Sequence, residues 1–223
     1  MKDGIEGCIL QPVGEVPEAA AELVRHTFKS DNYVRRKIAA TLAGYIAAAD
    51  GSLLRELFDA ERTRDAALPA DSRERLYSQS VVEDVVFAAA RWCRREELRR
   101  PGLAVLSDVV RRTLAGEYWN TASYALATLR YYNEPGSAEL LKQFQAFCTP
   151  TLLRKVRPPE HPSRPTLDQE RQFAKGLTAG NPGTLGSIEQ VLAQKDEAAR
   201  RVTLDDDTRQ WLAGLLDLGR SVN

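Results

Sequence analysis

Residues 32–60, NYVRRKIAATLAGYIAAADGSLLRELFDA, decide how the rest of the chain is read. Val34, Ile38, Leu42, Tyr45 and Ile46 recur at the spacing of one helical face. Asp31, just ahead of them, suits an N-cap. Gly51 in Asp50-Gly51-Ser52 ends that pattern, and Leu53, Leu54, Leu57 and Phe58 open a second apolar stripe. The stretch therefore predicts a helix, a turn where glycine relieves backbone strain, and a second helix. A lone pair of this kind cannot bury its apolar faces, so pairs must stack.

The rhythm returns at Pro101-Gly102-Leu103, Pro135-Gly136-Ser137 and Pro182-Gly183-Thr184. Val82, Val85, Val86, Ala89 and Cys93 form the stripe of a helix that Pro101-Gly102 is expected to stop. Leu103, Leu106, Val109, Val110 and Leu114 mark its partner, with a turn at Gly116. Trp119, Ala122, Leu126 and Leu129 begin the next pair, and Leu140, Leu141, Phe144 and Phe147 complete it. Upstream, Pro17 suits the first turn of a helix running to about Phe28. The polar stretch from Ala60 to Ala70 leads to a capping box of Asp71 and Glu74, whose helix is expected to break near Ser78–Ser80. Alternating, β-branched runs are scarce. The chain reads as all-α, built of stacked antiparallel helix pairs.

Three regions follow. Residues 1–148 form a helical stack with an irregular N-terminal segment. Residues 149–166 hold a Pro-rich, basic connection. Residues 167–223 resume the helical pattern with Leu185, Ile188, Val191 and Leu192, and then with Trp211, Leu212, Leu215 and Leu216; they read as a last repeat and cap packed on the stack. Asp205, Asp206 and Asp207 complement the positive end of that final helix.

Laying the chain on itself extends the repeat. Shifted by 86 positions, Ala39 falls on Ala125, Tyr45 on Tyr131, Leu54 on Leu140 and Phe58 on Phe144. Shifted by 34, Gly102 falls on Gly136 and Leu106 on Leu140. The pairs 32–60, 82–114, 118–147 and 167–194 resemble the HEAT and armadillo helical repeats. The shift of 86 spans two units of about 43 residues, a length such repeats use. The resemblance implies a short right-handed solenoid whose second helices line a concave binding face. It covers about two thirds of the chain and lacks a clear proline kink or Asp/Arg turn ladder.

Bulk properties narrow the classes. The 223 residues are 43% hydrophobic and 28% charged, and Lys and Arg balance Asp and Glu at 31 each. No apolar run approaches the ~20 residues of a membrane span. The N-terminus lacks a secretory h-region. Three widely spaced cysteines, Cys8, Cys93 and Cys148, give no disulfide framework and suit a reducing cytoplasm. Residues 91–165 carry thirteen Lys and Arg against seven Asp and Glu, so the centre is basic and the ends mildly acidic. The two histidines, His26 and His161, have no partners at metal-ligand spacing. No P-loop, Gly-x-Ser-x-Gly or Cys-x-x-Cys is present, so no catalytic residue, metal or cofactor is expected.

What remains is binding. Arg94, Arg95, Arg99 and Arg100 read as cations at the negative end of a helix. Arg55, Arg111, Arg112 and Lys142 fall on second helices, where they form a ridge for an acidic protein partner. Tyr124 and Tyr131, seven apart on one helix, either fill contacts between pairs or show an amphipathic patch to that partner. The chain thus reads as a non-catalytic adaptor, or an immunity-type inhibitor. The alternative is a HEAT-like nucleic-acid-binding or glycosylase-like repair protein, for which a near-neutral chain has a weak electrostatic footprint.

Overall fold

The computed structural model describes residues 17–46, 51–69, 72–117 and 121–147, with positions 190, 192–194, 197 and 210. Seven helices make up the continuous part: α1 (Pro17–Phe28), α2 (Tyr33–Ala43), α3 (Leu53–Ala67), α4 (Arg73–Trp92), α5 (Glu96–Leu114), α6 (Ala122–Tyr131) and α7 (Ser137–Phe147). Among the described residues there is no strand. None of these helices is long and apolar enough to cross a membrane. The 149–166 connection and nearly all of 167–223 lie outside the described residues.

The caps sit one residue from where the sequence pattern puts them. Asn32, not Asp31, caps α2: its Oδ1 accepts from the Val34 amide at 2.9 Å. At α4 the Ser72 hydroxyl accepts from the Arg75 amide at 3.2 Å, so Ser72 is the cap in place of Asp71. Helix α4 does not break at Ser78–Ser80. Ser80 donates to the Tyr77 carbonyl at 2.8 Å, a bond the helix accommodates. Helix α3 runs on through the polar stretch to Ala67, because Glu61 and Asp65 turn inward to arginines.

The largest correction concerns Pro101-Gly102. The turn between α4 and α5 lies at Cys93–Arg95, and Pro101-Gly102 sits inside α5. Gly51 and Gly136 do occupy turns, at φ +66° and +82°. Gly102 serves a different end. A Cβ there would lie 2.8 Å from the Ala89 carbonyl and 3.0 Å from Cys93 Sγ, so glycine lets α5 press against α4. Pro101 gives up one amide bond near the start of α5. Glu96 and Glu97 favour the helix start upstream of it. The 34-residue shift therefore matches a helix-interior glycine with a turn glycine, while its match of Leu106 with Leu140 joins two buried residues on α5 and α7. The basic run divides in the same way. Arg94 and Arg95 follow the end of α4, while Arg99 and Arg100 belong to early α5. Arg99 still reaches back, its Nε donating to the Cys93 carbonyl at 3.0 Å.

The apolar stripes meet in one core. Leu53, Leu54, Leu57 and Phe58 of α3 are 2% exposed or less. Burial of each is worth roughly 1.5–3 kcal/mol. Trp92 is fully buried and donates to the Ala43 carbonyl at 2.8 Å, tying the end of α4 to the end of α2. Along the same seam Tyr33 stacks on Tyr77 with ring centroids 4.1 Å apart. Neighbours in the chain pack as pairs, α1 on α2, α3 on α4 and α5 on α6, while α4 also lies along α2 and α5; the expected pairs α2 with α3 and α6 with α7 touch only lightly. Every substantial contact among the seven joins helices one or two places apart in the chain. Helix α4 is buried on all sides from Asp84 to Cys93. Helices α3 and α5 keep an open side, at Ala60 and Thr63 and at Ala104 and Arg111.

Candidate functional site

The open sides of α3 and α5 are joined by ion pairs. Asp108 and Arg112 stand one helical turn apart on α5, and the Arg112 Nε donates to Asp108 Oδ2 at 2.7 Å. Arg55 crosses from α3 to the same oxygen at 2.6 Å. Arg112 continues to Glu117 at 3.3 Å, where Arg62 of α3 arrives at 3.4 Å. The hydrogen bond that Arg112 donates to Asp108 raises the Arg112 pKa above its ordinary value, so the pair stays charged. One step earlier, Arg25 of α1 pairs with Glu56 of α3 at 2.6 Å. Arginine-to-carboxylate rungs thus run from α1 to α3 to α5. Each rung is partly solvated and individually worth about 1 kcal/mol or less.

This geometry splits the expected ridge. Arg55 and Arg112 are held by Asp108, with their remaining N–H groups fixed in direction. Arg111 lies about a quarter-turn from Arg112 and is exposed. Lys142 on α7 is exposed as well. Among the described residues neither Arg111 nor Lys142 has an ion-pair partner. The two tyrosines also part company. Tyr124 is half-buried against Phe87, with centroids 5.4 Å apart. Tyr131 is 55% exposed and meets Tyr132 edge-on at 4.9 Å.

Sequence reasoning missed the carboxylates that organise these cations. The Asp108-to-Arg112 spacing was a legible local signal. Glu117 and Arg62 had no such signal, since they meet only through the packing of α3 on α5.

Two buried groups bear on chemistry. Burial pushes the Cys93 thiol up to about 12, which keeps it protonated and unreactive. Asp65 is raised mainly by burial, against the pull of Arg75; Glu61 and Glu117 add to the rise. Glu61 is bonded to Arg36 and Asp65 to Arg75, so each acid is engaged in a helix contact. His26 is exposed. Among the described residues no three His, Cys, Asp or Glu side chains gather to hold a metal ion. His161, Trp119, Trp211, Cys8 and Cys148 lie outside the described residues.

No protein-family model matches the chain, and no curated protein or solved structure matches it.

Proposed function

We propose that the chain is a short HEAT-like right-handed stack of helix pairs that binds an acidic protein partner without catalysing a reaction. The succession of contacts supports the stack. In a solenoid each helix touches its pair-mate and its counterparts in neighbouring pairs, which are one and two places away. The 86-residue shift agrees with it. Ala39 on α2 corresponds to Ala125 on α6, Leu54 on α3 to Leu140 on α7, and Phe58 to Phe144, all buried.

The observation that carries the binding reading is the contrast between α4 and its neighbours. Helix α4 is sealed from Asp84 to Cys93, whereas α3 and α5 keep open sides that carry fixed arginines. Together with α7 they make a rigid face bearing Arg55, Arg112, Arg111 and Lys142. Fixed guanidinium groups lose little entropy on meeting a carboxylate, and Arg111 and Lys142, without an ion-pair partner among the described residues, supply net positive charge. Such a face suits an adaptor or an immunity-type inhibitor. The odd cysteine count and the inert Cys93 suit a cytoplasmic setting.

The test is partner identification by affinity purification from native extract, followed by titration with Arg111→Glu/Lys142→Glu. The reading expects at least tenfold weaker binding, about 1.4 kcal/mol, with unchanged helicity. Unchanged affinity would remove this face as the site.

A further inference from the structure

A second surface is formed where α4 and α6 end and α5 begins. Arg99, Tyr132 and Tyr131 meet there, and Arg94, Arg95 and Arg100 lie within five residues of Arg99 along the chain. The Arg99 guanidinium lies over the Tyr132 ring, 5.3 Å from its centroid, and Tyr132 holds Tyr131 edge-on at 4.9 Å. The alternation continues on the other side. Arg95 donates to the Tyr45 carbonyl at 3.0 Å, and Arg91 lies 4.9 Å from the centroid of the Tyr45 ring. Among the described residues Tyr131 is the one large hydrophobic side chain left exposed. Helix-end electrostatics accounts for cations beside the α4 terminus. It does not account for an aromatic ring exposed beside them.

We propose that this edge binds a single-stranded nucleic acid, with Tyr131 stacking on a base and the arginines meeting the flanking phosphates. The inference concerns a different surface from the α3, α5 and α7 face and does not rest on the protein-binding reading. A single strand offers both an anionic backbone and a planar base at each repeat, and the edge offers both complements. An acidic peptide would satisfy the arginines and leave the tyrosine unused. Tyr132, clamped beneath Arg99, fixes the orientation of Tyr131 before any ligand arrives. Chain-wide neutrality does not oppose this, because charges more than about 8–10 Å away are screened at physiological salt. Glu96 and Glu97 lie exposed beside the arginines and limit the number of phosphates the edge can hold. Affinity is therefore modest and falls steeply with salt.

The experiment is fluorescence anisotropy with a labelled oligothymidine of about 15 nucleotides, at about 50 and about 300 mM salt. The expected result is binding at low salt that weakens about tenfold in Tyr131→Ala, as loss of one stacked base implies. Arg94→Glu/Arg100→Glu should weaken binding further and flatten its salt dependence, while Lys29→Glu on the α1–α2 turn changes neither. Circular dichroism confirms that each variant is folded. The proposal is overturned by absence of binding at low salt, or by edge variants that bind like the parent chain. It is equally overturned by polyglutamate or an abasic strand binding as tightly as the oligothymidine, since either would mean charge recognition without stacking. A negative result leaves the α3, α5 and α7 reading standing, because that is scored with a protein partner.

Discussion

Arg36 on α2 grips Glu61 on α3 in a two-pronged ion pair, Nε to Oε2 at 2.9 Å and Nη2 to Oε1 at 3.3 Å, with at most 5% of either side chain exposed. The same guanidinium donates to the Ser30 and Asp31 carbonyls at 2.9 and 2.8 Å. One side chain therefore fastens the α1–α2 turn, α2 and α3 together. Removing either partner strands a buried charge, which costs about 3–5 kcal/mol. Urea denaturation of Glu61→Ala should register a loss of that size. Arg36→Met/Glu61→Leu should recover most of it, since the double variant leaves no charge behind. A loss that simply adds across the two sites would mean the residues do not act as a pair.

Asp65 is the opposite case. Its carboxyl is raised because burial outweighs the attraction of Arg75. The folded chain then holds the proton more tightly than the unfolded chain, and stability falls as pH rises through the folded value. At neutral pH the ionised group is a net cost. Asp65→Asn keeps the shape and removes the charge, so its urea midpoint at pH 7 should exceed that of the parent. The gain should vanish as pH falls below the ordinary carboxylate range. A variant less stable at pH 7 would mean that the pull of Arg75 dominates.

Gly102 separates two readings of one residue. On helix propensity alone, Gly102→Ala would stabilise α5 by about 1 kcal/mol. The added Cβ, however, meets the backbone oxygen of Ala89 at 2.8 Å, and overpacking of this kind costs about 1–3 kcal/mol. The expected outcome is net destabilisation, read as a lower thermal midpoint. Gly136→Ala meets nothing within 4 Å but holds φ +82°, so it should cost about 1 kcal/mol through backbone strain alone. A stabilised Gly102→Ala would contradict the close seating of α5 on α4.

Apolar periodicity made most of the helices legible. Pro17 to Phe28 is α1 as the pattern gives it, and the stripes at Leu53–Phe58 and Leu140–Phe144 fall on α3 and α7. Local signals failed where the deciding contact is distant. Pro-Gly marks a turn when read along the chain, yet Gly102 is required by the approach of Ala89 on another helix. The polar stretch after Ala60 looked like a connection because its charges find their arginines only once α2 and α4 are packed against α3. The candidate site shows the same limit. Arg55 and Arg112 stand out in the sequence as cations, but their shared carboxylate, Asp108, joins α3 to α5 across 53 positions.

In the proposed stack α1, α3, α5 and α7 follow one another along one side. Spin labels on exposed residues at the two ends, Glu22→Cys on α1 and Lys142→Cys on α7, test it by pulsed dipolar distance measurement. Cys8 and Cys148 are replaced, and the buried Cys93 stays unlabelled. Three interhelical steps of about 9–10 Å put the two helices roughly 25–30 Å apart, and the expected distance distribution is centred there or beyond. A distribution centred below about 15 Å would mean that α1 and α7 close on each other in a bundle, with no open face of stacked pairs for a partner to occupy.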